Sequence, residues 1–401
     1  MLTTYRRVLA LPGALAFSLS GLVARLPISM VSLGIVLLVS TRTGSYSEAG
    51  AVSASFVVAT SLFAIVQGRL VDRLGQSTLL PAAVLAFAGA LILLMVAVEW
   101  SWGTPAAIGF AFLAGAAQPQ IGSFVRARWS YVVPERSMVQ TAFAFEAVVD
   151  ETVFMVGPTV VTLLATGVHP LAGLGVAVAA ALVGTFALVA QRSSEPPPHP
   201  RHPVRTERPR LPWRTLGLLA VAAAAMGALF GATEVATVAF SEELGAKAAS
   251  GPLLAVWALG SLLSGVATGM VTWRVATSTR LTWGALLLAL SMLPLPWVGS
   301  FPWMVAVLFL AGFAISPTLI AMTSWVEELV PPARLTESMA VIGTGITAGV
   351  APGAVLAGLV IDAHGAGPSY WVSAAAGAVG FGAAVLAGLS REAASPSGSS
   401  A

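Results

Sequence analysis

The chain has 401 residues, 57% of them hydrophobic and only 9% charged. Soluble domains carry roughly 25% charged residues, so the composition excludes a large soluble enzyme. There is no cysteine, which removes disulfides, thiolate metal sites and cysteine nucleophiles and says nothing about compartment.

The N-terminus, MLTTYRRVLALPGALAFSLSGLVA, has the basic start and apolar stretch of a signal peptide. Arg25 interrupts the run, but apolarity resumes through Ser40. Leu11 to Ser40 therefore reads as a retained first membrane helix. A span-length window then gives twelve apolar segments. They lie at approximately 11–40, 49–70, 78–98, 104–126, 138–166, 171–190, 213–240, 250–272, 279–298, 302–325, 336–361 and 368–389. None alternates as a membrane strand would. The expected fold is all-α, with twelve transmembrane helices.

Between the sixth and seventh segments stands QRSSEPPPHPRHPVRTERPRLPWR, residues 191–214. Its prolines block helix and its charges forbid the bilayer. The predicted organisation is a six-helix bundle over 1–190, a cytoplasmic linker over 191–212, a second six-helix bundle over 213–391 and a disordered tail over 392–401. The linker arginines can also meet anionic lipid heads. Lys and Arg set the orientation. With a cytoplasmic N-terminus, the inner loops and tails hold Arg6, Arg7, Arg69, Arg73, Arg126, Arg128, Arg136, the cluster from Arg192 to Arg214, Arg274, Arg280, Arg334 and Arg391. The outer loops hold only Arg42 and Lys247. Both termini are expected to be cytoplasmic, in an inner or plasma membrane.

The halves look duplicated. Thr43–Arg73 lies without gaps over Leu244–Arg274, and Gly44, Gly50, Gly68 and Arg73 fall on Gly245, Gly251, Gly269 and Arg274. FLAG recurs at Phe112–Gly115 and Phe309–Gly312, each followed by a proline and then by VPER or PPAR. A repeated six-helix unit accounts for the shared order and spacing.

The loop after the second span, GRLVDRLGQSTLL, resembles motif A of the major facilitator superfamily. Gly68, Leu70, Asp72, Arg73, Gly75 and Leu80 match that pattern, while Gln76 and Ser77 stand where basic residues usually lie. The resemblance in topology covers Leu11 to about Leu389. It implies two pseudo-symmetric bundles working by alternating access. It also implies that Asp72 meets a helix N-terminus and steadies the state closed to the cytoplasm, as an anion can. Other family signatures are weak. The fourth span is apolar near Ala111, where an Arg is usual. Gly157-Pro158 stands without the further glycines of drug:proton antiporters, and GVAPG, with Pro352, places a comparable kink in the eleventh span.

Polar groups within spans are costly unless paired or wet. Arg25 lies roughly 21 Å into the first span and Asp150 roughly 18 Å into the fifth, at 1.5 Å per residue. Glu146 and Asp150, four apart, share a helix face, and Glu151 points about 100° away. Pro158 cannot donate to the carbonyl of Phe154 and leaves a kink or a free acceptor. Two readings are open for Arg25: a substrate partner in a central cavity, or an ion pair with Glu146, Asp150 or Glu151. If Arg25 holds one acid ionised, the other of Asp150 and Glu151 holds a proton, and Glu151 is the choice here. Glu234 is the charge of the seventh span, facing the path or snorkelling to the interface. Gln118, Gln120, Ser316 and Thr318 flank prolines and serve either substrate or helix packing. Four acids against one base tilt the embedded groups toward cations.

None of the four His falls in a span, and no HExxH or P-loop is present, so neither an enzyme nor an ATP-driven pump is expected. No metal, cofactor or nucleic-acid partner is called for. The expected function is secondary transport of a small-molecule substrate across the bilayer by a monomer, with the proton as coupling ion and efflux as direction. The alternatives are import or facilitated passage of a sugar, amino acid or other metabolite, and a non-transporting receptor or scaffold.

Overall fold

The computed structural model describes residues 8–133, 135–198, 212–270, 273–330 and 335–392. The linker at 199–211 and the tail from 393 lie outside the described residues, as do Arg6, Arg7 and Arg334. Among the described residues, twelve spans are long and apolar enough to cross a membrane. Each overlaps a segment expected from the sequence, and most ends agree to about one turn. The fourth departs furthest, running from Thr104 on to Val132. Arg126 and Arg128 therefore lie inside a helix and not, as the loop assignment had it, in a connection.

The first span is two helices, α1 (Ala14–Arg25) and α2 (Pro27–Thr43), meeting at Leu26. Pro27 has no N–H to donate, and the helix ladder is interrupted one residue after Arg25. The second span is α3 (Tyr46–Leu74), capped by Ser45, whose side chain accepts from the Glu48 N–H. It ends at Gly75 with φ 83° and ψ 158°, a conformation almost confined to glycine. The third span, α4 (Gln76–Glu99), begins at the next residue. The fourth is again divided, into α5 (Thr104–Ala117) and α6 (Ile121–Val132), with Gln118, Pro119 and Gln120 between them. Side chains answer the carbonyls freed at this break. Gln67 Nε2 donates to the Ala116 carbonyl at 2.8 Å, and Gln120 Nε2 reaches that of Gln118 at 3.4 Å. The fifth and sixth spans are α7 (Arg136–Gly167) and α8 (Ala172–Ala190).

These helices belong to one compact unit, Met1–Val204 with Ala246–Ala255. Its core gathers Phe17, Leu80, Ile121, Val125, Trp129 and Leu188. Phe17 meets Trp129 edge-on, with ring centroids 4.6 Å apart.

The second unit is Arg205–Gly245 with Val256–Ala401. Its helices are α9 (Trp213–Glu243), α10 (Ser250–Met270, from Val256 on), α11 (Thr277–Met292), α12 (Phe301–Gly312), α13 (Ile315–Leu329), α14 (Leu335–His364) and α15 (Ala366–Glu392). Helix α9 packs against α14 and α15. The α9–α14 crossing is backbone on backbone. A Cβ on Gly231 would fall 2.1 Å from the Val350 carbonyl oxygen, and one on Gly349 would fall 1.9 Å from that of Ala224. Small residues allow such approach between membrane helices, where dispersion replaces the hydrophobic effect as the force of association. Pro352 sits inside α14 close to this contact.

Candidate functional site

The site is built at the break in the first span. Arg25 ends α1 and is only 3% exposed. Its Nη2 pairs with Glu146 Oε2 at 2.6 Å and its Nη1 with Asp150 Oδ1 at 2.7 Å. The two acids are one turn apart on α7, so a single guanidinium spans both. Helix α6 supplies the second partner of each. Arg126 Nη2 meets Asp150 Oδ2 at 2.6 Å, and Trp129 Nε1 donates to Glu146 Oε1 at 2.8 Å. Arg126 and Trp129 are three residues apart and therefore share a face. Each carboxylate thus bridges α1 and α6. Two guanidiniums balance two carboxylates, which is how charge survives away from water. Glu146 is fully buried, while Asp150 and Arg126 are about a third exposed.

Glu151 is half-buried on another face of α7. Among the described residues it makes no ion pair or hydrogen bond.

Beside the cluster lies a cavity of about 250 Å³, lined by Arg25, Arg126, Asp150, Gln118, Gln120 and Thr185, with Phe87 and Phe154 as aromatic wall. Gln118 also accepts from Thr60 at 3.3 Å. The count of four acids against one base needs correcting. Because the fourth span runs past Arg126, that residue joins the cluster as a second base, and the cluster by itself favours neither sign of charge.

The other sequence-derived residues have different surroundings. Ser316 and Thr318 belong to the second unit, and their hydroxyls are used there. Ser316 Oγ bonds Ser261 Oγ at 2.8 Å, and Thr318 donates to the Ala314 carbonyl at 2.6 Å. Glu234 is half-buried on α9, between buried Thr233 and Val235. Gly157 is a contact point as much as a kink: a Cβ there would fall 1.9 Å from Ser29 Oγ, which donates to the Val153 carbonyl at 2.9 Å. Pro158 stays within an unbroken α7.

Gly68, Asp72 and Arg73 occupy the last two turns of α3, and Gly75 makes the joint to α4. Asp72 and Arg73 are exposed. Gln76 and Ser77, the two departures from the motif, are both engaged. Gln76 Oε1 accepts from Arg128 Nε at 2.7 Å, and the Ser77 N–H donates to Glu195 Oε1 at 2.8 Å. Arg128 is fully buried, and its Nη1 also bonds the Gln191 carbonyl and Ser194 Oγ, each at 2.8 Å. The basic group near this turn is thus supplied by α6. The Glu195 carboxylate caps the start of α4, where an anion is favoured. Sequence reasoning missed Arg126, Arg128, Trp129 and Glu195. The available signal was the three-residue spacing of Arg126 and Trp129 set against the four-residue spacing of Glu146 and Asp150.

Twelve spans among the described residues, with a paired charged cluster inside the first unit, describe a multi-pass membrane protein. The chain belongs to the Major Facilitator Superfamily, whose profile matches residues 17–301 and 219–401. Among solved structures it is similar to the POT family transporter PepTSo, at 13% identity and a TM-score of 0.73, over 93% of this chain and 96% of that one. It is similar to the nucleoside transporter NupG at 15% identity and a TM-score of 0.70, over 93% and 98%. The human organic anion transporter MFSD10 (TETRAN) follows at 15% identity and a TM-score of 0.62, over 92% and 98%. No curated protein sequence matches the chain. At these identities the likeness is one of fold.

Proposed function

We propose that this transporter exports a small organic solute in exchange for protons, with Glu151 as the group that carries the coupling proton. It works as a monomer in an inner or plasma membrane, with both termini cytoplasmic. The supporting observation is the pattern of counter-charges. Glu146 and Asp150 each have a guanidinium within 2.7 Å. Glu151 has none among the described residues, and a proton is the counter-charge open to it. Loss of that proton places an uncompensated charge on α7 beside Asp150, which biases the equilibrium between conformations.

The test is Glu151→Gln in proteoliposomes with an imposed pH gradient. The variant is expected to lose gradient-driven movement of solute while keeping solute exchange without a gradient. Full gradient-driven transport by Glu151→Gln would end this reading. Uptake with the proton flow, in place of movement against it, would reverse the direction.

A further inference from the structure

The charged cluster of the first unit has a buried half and an open half. The Arg25–Glu146 pair is 3% and 1% exposed, whereas Arg126 and Asp150 are 33% and 31% exposed. Arg126 and Asp150 both line the cavity, and Glu146 does not. The open pair also has bonding capacity to spare. Arg126 Nη2 meets Asp150 Oδ2 at 2.6 Å, and Nη1 reaches the Gly122 carbonyl at 3.4 Å. Its Nε makes no hydrogen bond among the described residues and, unlike Arg25 Nε, is not sealed from solvent. Each Asp150 oxygen takes one N–H, from Arg25 or from Arg126, where a carboxylate oxygen can take two. Arg126 is the partner that a solute can draw away, because Asp150 Oδ1 stays with Arg25 at 2.7 Å.

We infer that this cavity takes its solute as a small zwitterion, with the solute's carboxylate on Arg126 and its ammonium on Asp150. Three features select that chemistry. The cavity presents one positive and one negative group side by side, with paired atoms 2.6 Å apart, so the two ends of an α-amino acid can meet both at once. The surrounding charges already balance, two guanidiniums against two carboxylates. A net anion or cation leaves the cluster charged in a medium that penalises charge, whereas a zwitterion adds none. Ile28, Phe87 and Phe154 line the cavity and offer apolar surface to a side chain, in a space of about 250 Å³. The inference rests on the transporter reading, whose substrate class it names, and it does not use Glu151.

The test uses four probes of one shape that differ in charge. They are leucine, a zwitterion; leucinamide, a cation; and the two analogues in which a hydroxyl replaces the ammonium, a hydroxy acid (an anion) and an uncharged hydroxy amide. Binding to the purified full-length protein in nanodiscs is followed by saturation-transfer NMR at slightly acidic pH, where leucinamide is charged. Leucine is expected to bind most tightly. Arg126→Gln should weaken leucine roughly ten- to hundredfold, the worth of a hydrogen bond to a charged group. It should also put leucinamide first, because the cluster then holds one acid in excess. Asp150→Asn should weaken leucine and put the hydroxy acid first, for the opposite reason. Both variants leave Arg25 paired with Glu146. Equal or tighter binding of any other probe than leucine to the wild type overturns the inference, and so does no binding of leucine. A ranking that stays the same in both variants overturns it as well. The wild-type ranking needs no variant, so the inference can be refuted even where one fails to fold. Binding is read at equilibrium with no pH gradient, so this site can fail while Glu151 still couples protons, and the reverse.

Discussion

Removing Arg25 should cost far more than removing Arg25 together with its buried partner. In Arg25→Met the Glu146 carboxylate stays fully buried with only the Trp129 N–H to answer it. Stranding one member of a buried pair costs about 3–5 kcal/mol. At roughly 2–4 °C per kcal/mol for a unit of this size, the melting midpoint should fall by roughly 6–20 °C. In the double variant Arg25→Met/Glu146→Leu no charge is stranded at that position. What remains is an indole N–H without its acceptor, about 1–3 kcal/mol. The double variant should therefore be no less stable than the single, and the coupling between the two positions should reach a few kcal/mol. Equilibrium unfolding in mixed micelles of wild type, both single variants and the double completes the cycle. Additive losses, agreeing to within about 0.5 kcal/mol, would refute the account of a mutually compensating buried pair.

Gly231→Leu should destabilise the second unit by several kcal/mol, because even a Cβ at that position meets the Val350 carbonyl at 2.1 Å; a lowered unfolding midpoint checks it. Asp72→Asn should leave the fold intact yet slow turnover, with greater labelling of a cysteine introduced on the cytoplasmic side; unchanged turnover and labelling would remove the switching role implied by motif A. A reporter inserted after Pro200 should be active only in the cytoplasm, and activity on the outer side would overturn the orientation read from the Arg distribution.

The spans were legible because bilayer thickness sets a length that a hydropathy window detects directly. The pairing of Arg25 with Glu146 and Asp150 was legible in kind: intramembrane charge must be compensated, and the four-residue spacing puts both acids on one face. The second half of the cluster was hidden by a boundary. Arg126, Arg128 and Trp129 follow a proline, and three basic or amphipathic residues after a helix breaker read as the edge of the membrane. The helix in fact restarts at Ile121, because the side chains of Gln67 and Gln120 meet the carbonyls that the break exposes. Part of that rescue is local, from Gln120, but the shorter bond comes from Gln67 on another span, which the neighbourhood of the break does not reveal. Glu195 escaped notice for a similar reason. It looked like the first acid of a linker, and only the folded chain brings it to the start of α4.

Helix α6 can be viewed as a short rod pinned at two points. Arg126 and Arg128 are two residues apart, so their side chains leave the axis about 200° from one another. One is tied to Asp150 and the other to Gln76, Gln191 and Ser194. Rotation of the rod about its own axis would tear both pins at once. A slide along the axis would do the same. The break at Gln118–Gln120 is the one place along this span where the regular helix ladder is interrupted. Loss of one arginine leaves the other and the Trp129–Glu146 bond in place, so only substitution at both positions should loosen the rod and weaken the hold on Trp129.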